Sequence, residues 1–234
     1  MSADSSAPSR RPSLGHSCYR ALLPLEFKSI YANALAAYRR YAVIDGFLKT
    51  FPPSSDNIPP TAKQLDKYSQ RLPASILELW ERGGFGNYGN GEIKIINPDE
   101  YEKCLMGWLL RDEVDESRTT VAISSTGTLF YHRWLTDDID DVSFINPHTS
   151  ETDVCTYSGS EFLAVLADDR EVREELLNPK MFEELTKRFG EIPAQEIFFY
   201  TPALRLGGRE SIENVEHGNA VVHLEFLLQL ALGK

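Results

Sequence analysis

The residues whose types and spacing could carry chemistry in this 234-residue chain fall into three groups. Gly84, Gly86 and Gly89 satisfy G-x-G-x-x-G within a glycine-rich run at 83–91, the pattern by which backbone N–H groups approach a pyrophosphate at the start of a helix. Asp137, Asp138, Asp140 and Asp141 crowd one stretch and invite a divalent cation. Five histidines (His16, His132, His148, His217, His223) and three cysteines (Cys18, Cys104, Cys155) could supply a base, a nucleophile or metal ligands.

The context each chemistry needs is missing. A dinucleotide fingerprint runs from strand to helix, and here the order is reversed. Ile76, Leu77, Leu79 and Trp80 recur at helical spacing after Pro73, ahead of the glycines, while Ile93 and Ile95 alternate with polar Glu92 and Lys94 as a strand behind them. Glycines that end a helix at positive φ and turn the chain into a sheet account for the same residues, with Phe85 and Tyr88 covering the core edge. Taking Asp137 as the first position of an EF-hand puts Val142 where glycine is required and His148 where glutamate is required. An irregular metal loop is then the alternative to a solvated hairpin tip. H-E-x-x-H, G-x-S-x-G and C-x-x-C are all absent, and His217 and His223, six apart, do not share a helical face. His132, in a strand flanked by aromatics, reads as a hydrogen-bonded structural histidine, and Cys104, on an apolar helix face, as a small hydrophobe. These residues give no positive sign of a catalytic group, a cofactor or a metal.

Periodicity outlines the elements that position them. Phe27, Ile30, Tyr31, Leu35, Tyr38, Tyr41 and Ile44 follow three- and four-residue steps, as one or two helices with a break at Gly46 would. Pro52, Pro53, Pro59 and Pro60 make a stiff polar linker that sets the spacing of two elements. A short helix through Leu65 and Tyr68 leads to the helix, glycine turn and strand already described. Asn97-Pro98-Asp99 starts the next helix, with Tyr101, Leu105 and Trp108 along its stripe. After an exposed acidic loop at 111–118, strands pass through 121–123, 129–135 and 142–145. Strands joined this closely are antiparallel, so the layout is α+β, with helices on one face of an antiparallel sheet. Beyond it come helical segments at 159–167, 172–177 and 182–189, strands at 197–200 and 212–215, a short strand continuation at 204–206, and an apolar helix at 220–232 that packs between domains.

An apolar content of 42% is ordinary for a folded core, and the length allows one large domain or two small ones. Cysteines far apart fit reduced thiols in a cytoplasm. Residues 1–12 lack the apolar core of a secretory signal and are expected to be disordered, and no stretch reaches the length of a membrane span. The net charge of −11 is uneven: residues 1–90 carry 11 Lys and Arg against 7 Asp and Glu, residues 91–175 carry 7 against 20, and residues 176–234 carry 6 against 8. A field of this kind repels nucleic acid and steers a basic partner, although a face kept soluble by carboxylates would have the same composition.

The run from Leu72 through Pro73, Leu77, Trp80, Gly84, Phe85, Tyr88, Gly91, Asn97, Pro98 and Tyr101 resembles the core signature of the GAD-like domain family. A second domain, similar to the C-terminal domain of type VI secretion DNase-immunity proteins, follows it. The resemblance implies an N-terminal extension at 1–42, disordered and then helical, a GAD-like domain at 43–156, and a smaller helix-rich α+β domain at 157–234. It also implies a cytoplasmic bacterial immunity protein, not an enzyme, that binds a cognate secreted DNase toxin and touches neither nucleic acid nor membrane. The acidic residues Glu113, Asp115, Glu116, Asp137, Asp138, Asp140 and Asp141 are the expected contact set. The alternatives are a small-molecule or nucleotide-binding enzyme using the glycine turn, and a regulatory adaptor for a non-toxin protein.

Overall fold

A computed structural model describes residues 25–233 of the chain. The expected disorder at 1–12, and His16 and Cys18, lie outside them. Contacts divide the chain into Met1–Arg39 and Arg40–Lys234. In the first unit, Leu35 and Tyr38 on helix α1 (Leu25–Thr50) are exposed. The second unit begins with the last part of α1, which runs unbroken through Gly46. Ile44 and Phe47 are fully buried on either side of that glycine, so core packing holds the helix where propensity alone would weaken it.

The local signals then act much as their chemistry dictates. Thr61 and Gln64 form a reciprocal capping box at the start of α2 (Ala62–Tyr68). Helix α3 (Ala74–Gly83) starts after Pro73 and stops at Gly84, whose φ of 73° suits a residue without Cβ. Asn97 caps α4 (Pro98–Trp108) by accepting from the Asp99 N–H, with Pro98 in the first turn.

Six strands form one antiparallel sheet in sequence order: β1 (Gly86–Tyr88), β2 (Ile93–Ile95), β3 (Arg118–Ser124), β4 (Leu129–Trp134), β5 (Asp140–Asn146) and β6 (Glu151–Thr156). Sequence reading missed β1, hidden in the glycine turn, and β6, an edge strand whose exposed Glu151, Thr152 and Asp153 carry no apolar alternation. Helices cover both faces of the sheet, not one. Phe130, Val142 and Phe144 join a core with α1, α2 and α3, while Leu129, Tyr131 and Ile145 join a second core with Tyr101 and Leu105 of α4. A strand apolar on both sides must be covered on both sides.

The C-terminal segment supplies α5 (Phe162–Asp168), α6 (Arg170–Leu176), α7 (Pro179–Phe189), the hairpin β7 (Glu196–Tyr200) with β8 (Val215–Asn219), and α8 (Ala220–Ala231). Leu204–Leu206 and Ile212–Asn214 are 3-10 turns, where sequence suggested strand. Phe162, Leu163 and Leu166 of α5 enter the first core, Ala220 and Leu224 of α8 enter the second, and α7 packs on the hairpin around Leu185, Phe198 and Val215. The core is therefore continuous across residue 157.

Candidate partner-binding face

Strand β3 begins where β4 ends, with Arg118 opposite Arg133, and the Trp134 N–H donates to the Ser117 carbonyl at 2.9 Å. The loop at 109–117 and the β4–β5 hairpin at 135–139 therefore lie side by side, and the two acidic stretches share one end of the sheet. Each loop is internally braced. Asp115 accepts from the Ser117 N–H at 3.0 Å and its hydroxyl at 2.5 Å, and pairs with Arg118 at 2.5 Å and Arg111 at 2.7 Å. Burial opposes ionisation of Asp115, but the Ser117 donors and the two guanidiniums outweigh it and hold its pKa below the ordinary carboxylate value. In the hairpin, the Leu135 N–H donates to the Ile139 carbonyl at 2.8 Å, and Thr136 Oγ1 accepts from the Ile139 N–H at 3.1 Å.

The seven acidic residues separate into two kinds. Asp141 is 2% exposed and takes two hydrogen bonds from Arg133, at 2.7 and 2.5 Å. Asp140 accepts from the Gly159 N–H at 3.0 Å and bonds His132 Nε2 at 2.8 Å. With Asp115, these carboxylates are engaged inside the fold. Glu116 faces solvent and meets Arg71 at 2.5 Å. Glu113, Asp137 and Asp138 are exposed, as is Asp112, and among the described residues none of the four enters an ion pair. Arg71 meets Glu116, Arg133 meets Asp141, and Arg111 and Arg118 share Asp115, which leaves Asp112, Glu113, Asp137 and Asp138 as the exposed carboxylates of this end outside any ion pair among the described residues.

The glycine motif is closed by its own chain. A Cβ on Gly84 would lie 2.8 Å from the Ile58 carbonyl oxygen, one on Gly86 2.0 Å from Asn57 Oδ1, and one on Gly89 2.9 Å from the Phe51 ring. The proline-rich segment expected to act as a mere spacer is thus packed along the turn, with backbone bridges from Pro53 to Tyr88 and from Ile58 to Phe85. It occupies the approach a pyrophosphate would need. Two clefts flank this region, of about 130 Å³ beside Phe85 and Tyr101 and about 470 Å³ between Asn90 and Phe182, and neither is lined by histidine or cysteine.

Sequence alternation placed Glu92 and Lys94 on a solvent face, and both are buried. Arg173 of α6 clamps Glu92 at 2.9 and 2.7 Å. Lys94 Nζ donates to Asn87 Oδ1 at 2.7 Å, and Asn87 Nδ2 donates to the Ile192 carbonyl at 3.0 Å. Burial lowers the Lys94 pKa to about 8, against the pull of Glu191 and Glu196. Only the C-terminal segment laid over β1 and β2 makes this face interior, and a short strand carries no sign of that cover.

The remaining titratable groups are dispersed. Burial pushes His132 below its ordinary pKa although Asp140 pulls the other way, and His148 Nε2 bonds the Thr126 carbonyl at 2.9 Å. His223 stacks on Phe199 with ring centres 3.5 Å apart and is driven down to about 4, first by burial. Burial raises the Cys104 and Cys155 thiols to about 12, which favours the protonated form over the nucleophilic thiolate. Among the described residues no three acidic, histidine or cysteine side chains group as metal ligands, and no helix is long and apolar enough to cross a membrane.

A two-faced antiparallel sheet, with its C-terminal segment folded over both cores and a braced acidic end, defines an α+β fold. Residues 42–137 match the model of the GAD-like domain, and residues 157–231 match that of the T6SS immunity protein Tdi1, C-terminal. The chain is thus similar to a GAD-like domain over residues 42–137 and to a Tdi1-type C-terminal domain over residues 157–231. No curated protein matches the chain. Among solved structures it is similar to Atu4351 from Agrobacterium tumefaciens, at a TM-score of 0.61 and 17% identity, covering 79% of this chain and 87% of that one. At that identity the likeness concerns the fold.

Proposed function

We propose that this chain is a cytoplasmic immunity protein that neutralises a type VI secretion DNase effector by stoichiometric binding, without turnover. The match of residues 157–231 to an immunity-protein model carries the reading. The four unpaired carboxylates at one end of the sheet support it, because a protein that grips DNA phosphates presents a cationic surface, and an anionic face both attracts and fits such a surface. Within the acidic contact set, Glu113, Glu116, Asp137 and Asp138 meet the partner, while Asp115, Asp140 and Asp141 hold the loops in place. The test titrates the chain into DNA cleavage by a type VI secretion DNase, chosen by asking whether a reading frame next to this one encodes a nuclease-like toxin. Cleavage should vanish at one chain per toxin, and Asp137→Lys with Asp138→Lys should slow association and flatten its salt dependence. A toxin left fully active and unbound by excess chain would overturn the reading.

A further inference from the structure

The two braced loops share a second property that the acidic set does not capture: each carries exposed aliphatic side chains. Leu110 and Val114 in the first loop are 73% and 53% exposed, and Leu135 and Ile139 in the hairpin are 50% and 55% exposed. Each pair alternates with two of the unpaired acids, Asp112 and Glu113 in one loop and Asp137 and Asp138 in the other. Leu110 stands at φ 55°, a left-handed conformation that glycine adopts freely and a leucine resists. A large apolar side chain held there in solvent serves no internal packing.

We infer that Leu110, Val114, Leu135 and Ile139 are the apolar anchors of the docking surface, and that its occupant is a protein whose basic surface contains apolar sockets between Lys and Arg side chains. The inference rests on the immunity reading and deepens it by naming what the partner must present. Charge complementarity selects this occupant. An all-apolar partner would desolvate four carboxylates with nothing to pair them, and a nucleic acid would be repelled. The turn hydrogen bonds and the Asp115 hub hold both loops before binding, so little ordering is left to oppose association. A competing apolar stripe exists on α8, where Val222 is 67% exposed, but the acid beside it, Glu225, already faces Lys103 at 4.0 Å. The loops combine exposed apolar area with free charge, and the stripe does not.

The experiment uses the full chain and a catalytically inactivated form of the DNase that the chain is found to neutralise, with affinity read by calorimetry and folding by thermal unfolding. Leu135→Ser with Ile139→Ser, which removes the apolar side chains without changing charge, should weaken binding about 30-fold or more at unchanged melting temperature, the scale of a central anchor. Leu110→Gly relieves the backbone and removes the side chain, so it should bind about 10-fold or more weakly while being no less stable. Val222→Asp should bind as the unaltered chain does. Full affinity in both loop variants, or a loss confined to Val222→Asp, would overturn the anchor assignment while binding by the unaltered chain preserved the immunity reading. If the unaltered chain itself failed to bind, both would fall.

Discussion

Arg173 reaches from α6 to hold Glu92 at the foot of the glycine turn, Nε to Oε1 at 2.9 Å and Nη2 to Oε2 at 2.7 Å. The pair fastens the C-terminal segment, which matches the Tdi1 model, to β2 of the segment that matches the GAD-like model. Glu92 is 6% exposed, so losing its partner would strand a buried charge. Arg173→Ala should cost about 3 kcal/mol in urea unfolding. Replacing both groups, Glu92→Leu with Arg173→Met, should restore most of that loss, since apolar side chains need no desolvation. Equal losses in the single and double variants would show that the pair's charge is not what matters.

Lys94 gives the second prediction, through its response to pH. Its ordinary pKa of 10.5 holds in the unfolded chain, and burial lowers it to about 8 in the folded one. Between those values the unfolded chain binds more protons, so this group's contribution to stability rises with pH across that window. Below about 8 the full cost of burying the ammonium is present. The Cys104 and Cys155 thiols, raised to about 12, act in the opposite sense above their ordinary value of 9. Comparison with Lys94→Met isolates the lysine. The stability of the native chain relative to that variant should climb by up to about 3 kcal/mol from pH 7.5 to 10.5 in urea titrations. A flat difference would mean that the ammonium does not feel the burial seen here.

Signals written locally were legible in the sequence. Pro73 and Gly84 mark the ends of α3, and Asn97-Pro98 opens α4, because caps and φ constraints depend on neighbours in the chain. The reversed order of helix, glycine turn and strand also weighed against a dinucleotide fingerprint, and in the structure residues 51–58 pack against that turn. What a side chain does across the fold was not legible. Lys94 alternates like a surface residue until the loop at 191–193 covers it, and β6 lacks any apolar pattern because it is a sheet edge. Composition placed negative charge in the middle third but could not tell Asp141 from Asp138. That distinction depends on Arg133 standing opposite Asp141 in the register of β4 with β5.

The division of the acids can be measured without any partner, which makes it the sharpest of the stability predictions. Asp141 is buried and neutralises Arg133 through two hydrogen bonds, so Asp141→Asn leaves a guanidinium facing a neutral amide and should cost about 3 kcal/mol. Asp137 and Asp138 project from the hairpin tip with no ion pair, and Asp137→Asn with Asp138→Asn should stay within about 0.5 kcal/mol of the native chain. Urea unfolding of the two variants side by side reads the difference directly. If Asp141→Asn were as stable as the native chain, the bidentate pair would contribute nothing to the fold, and Asp141 would return to the set of residues free to meet a toxin. If instead the hairpin variant unfolded early, its carboxylates would be bracing the loop, and the charge offered to a basic partner would shrink to Asp112 and Glu113.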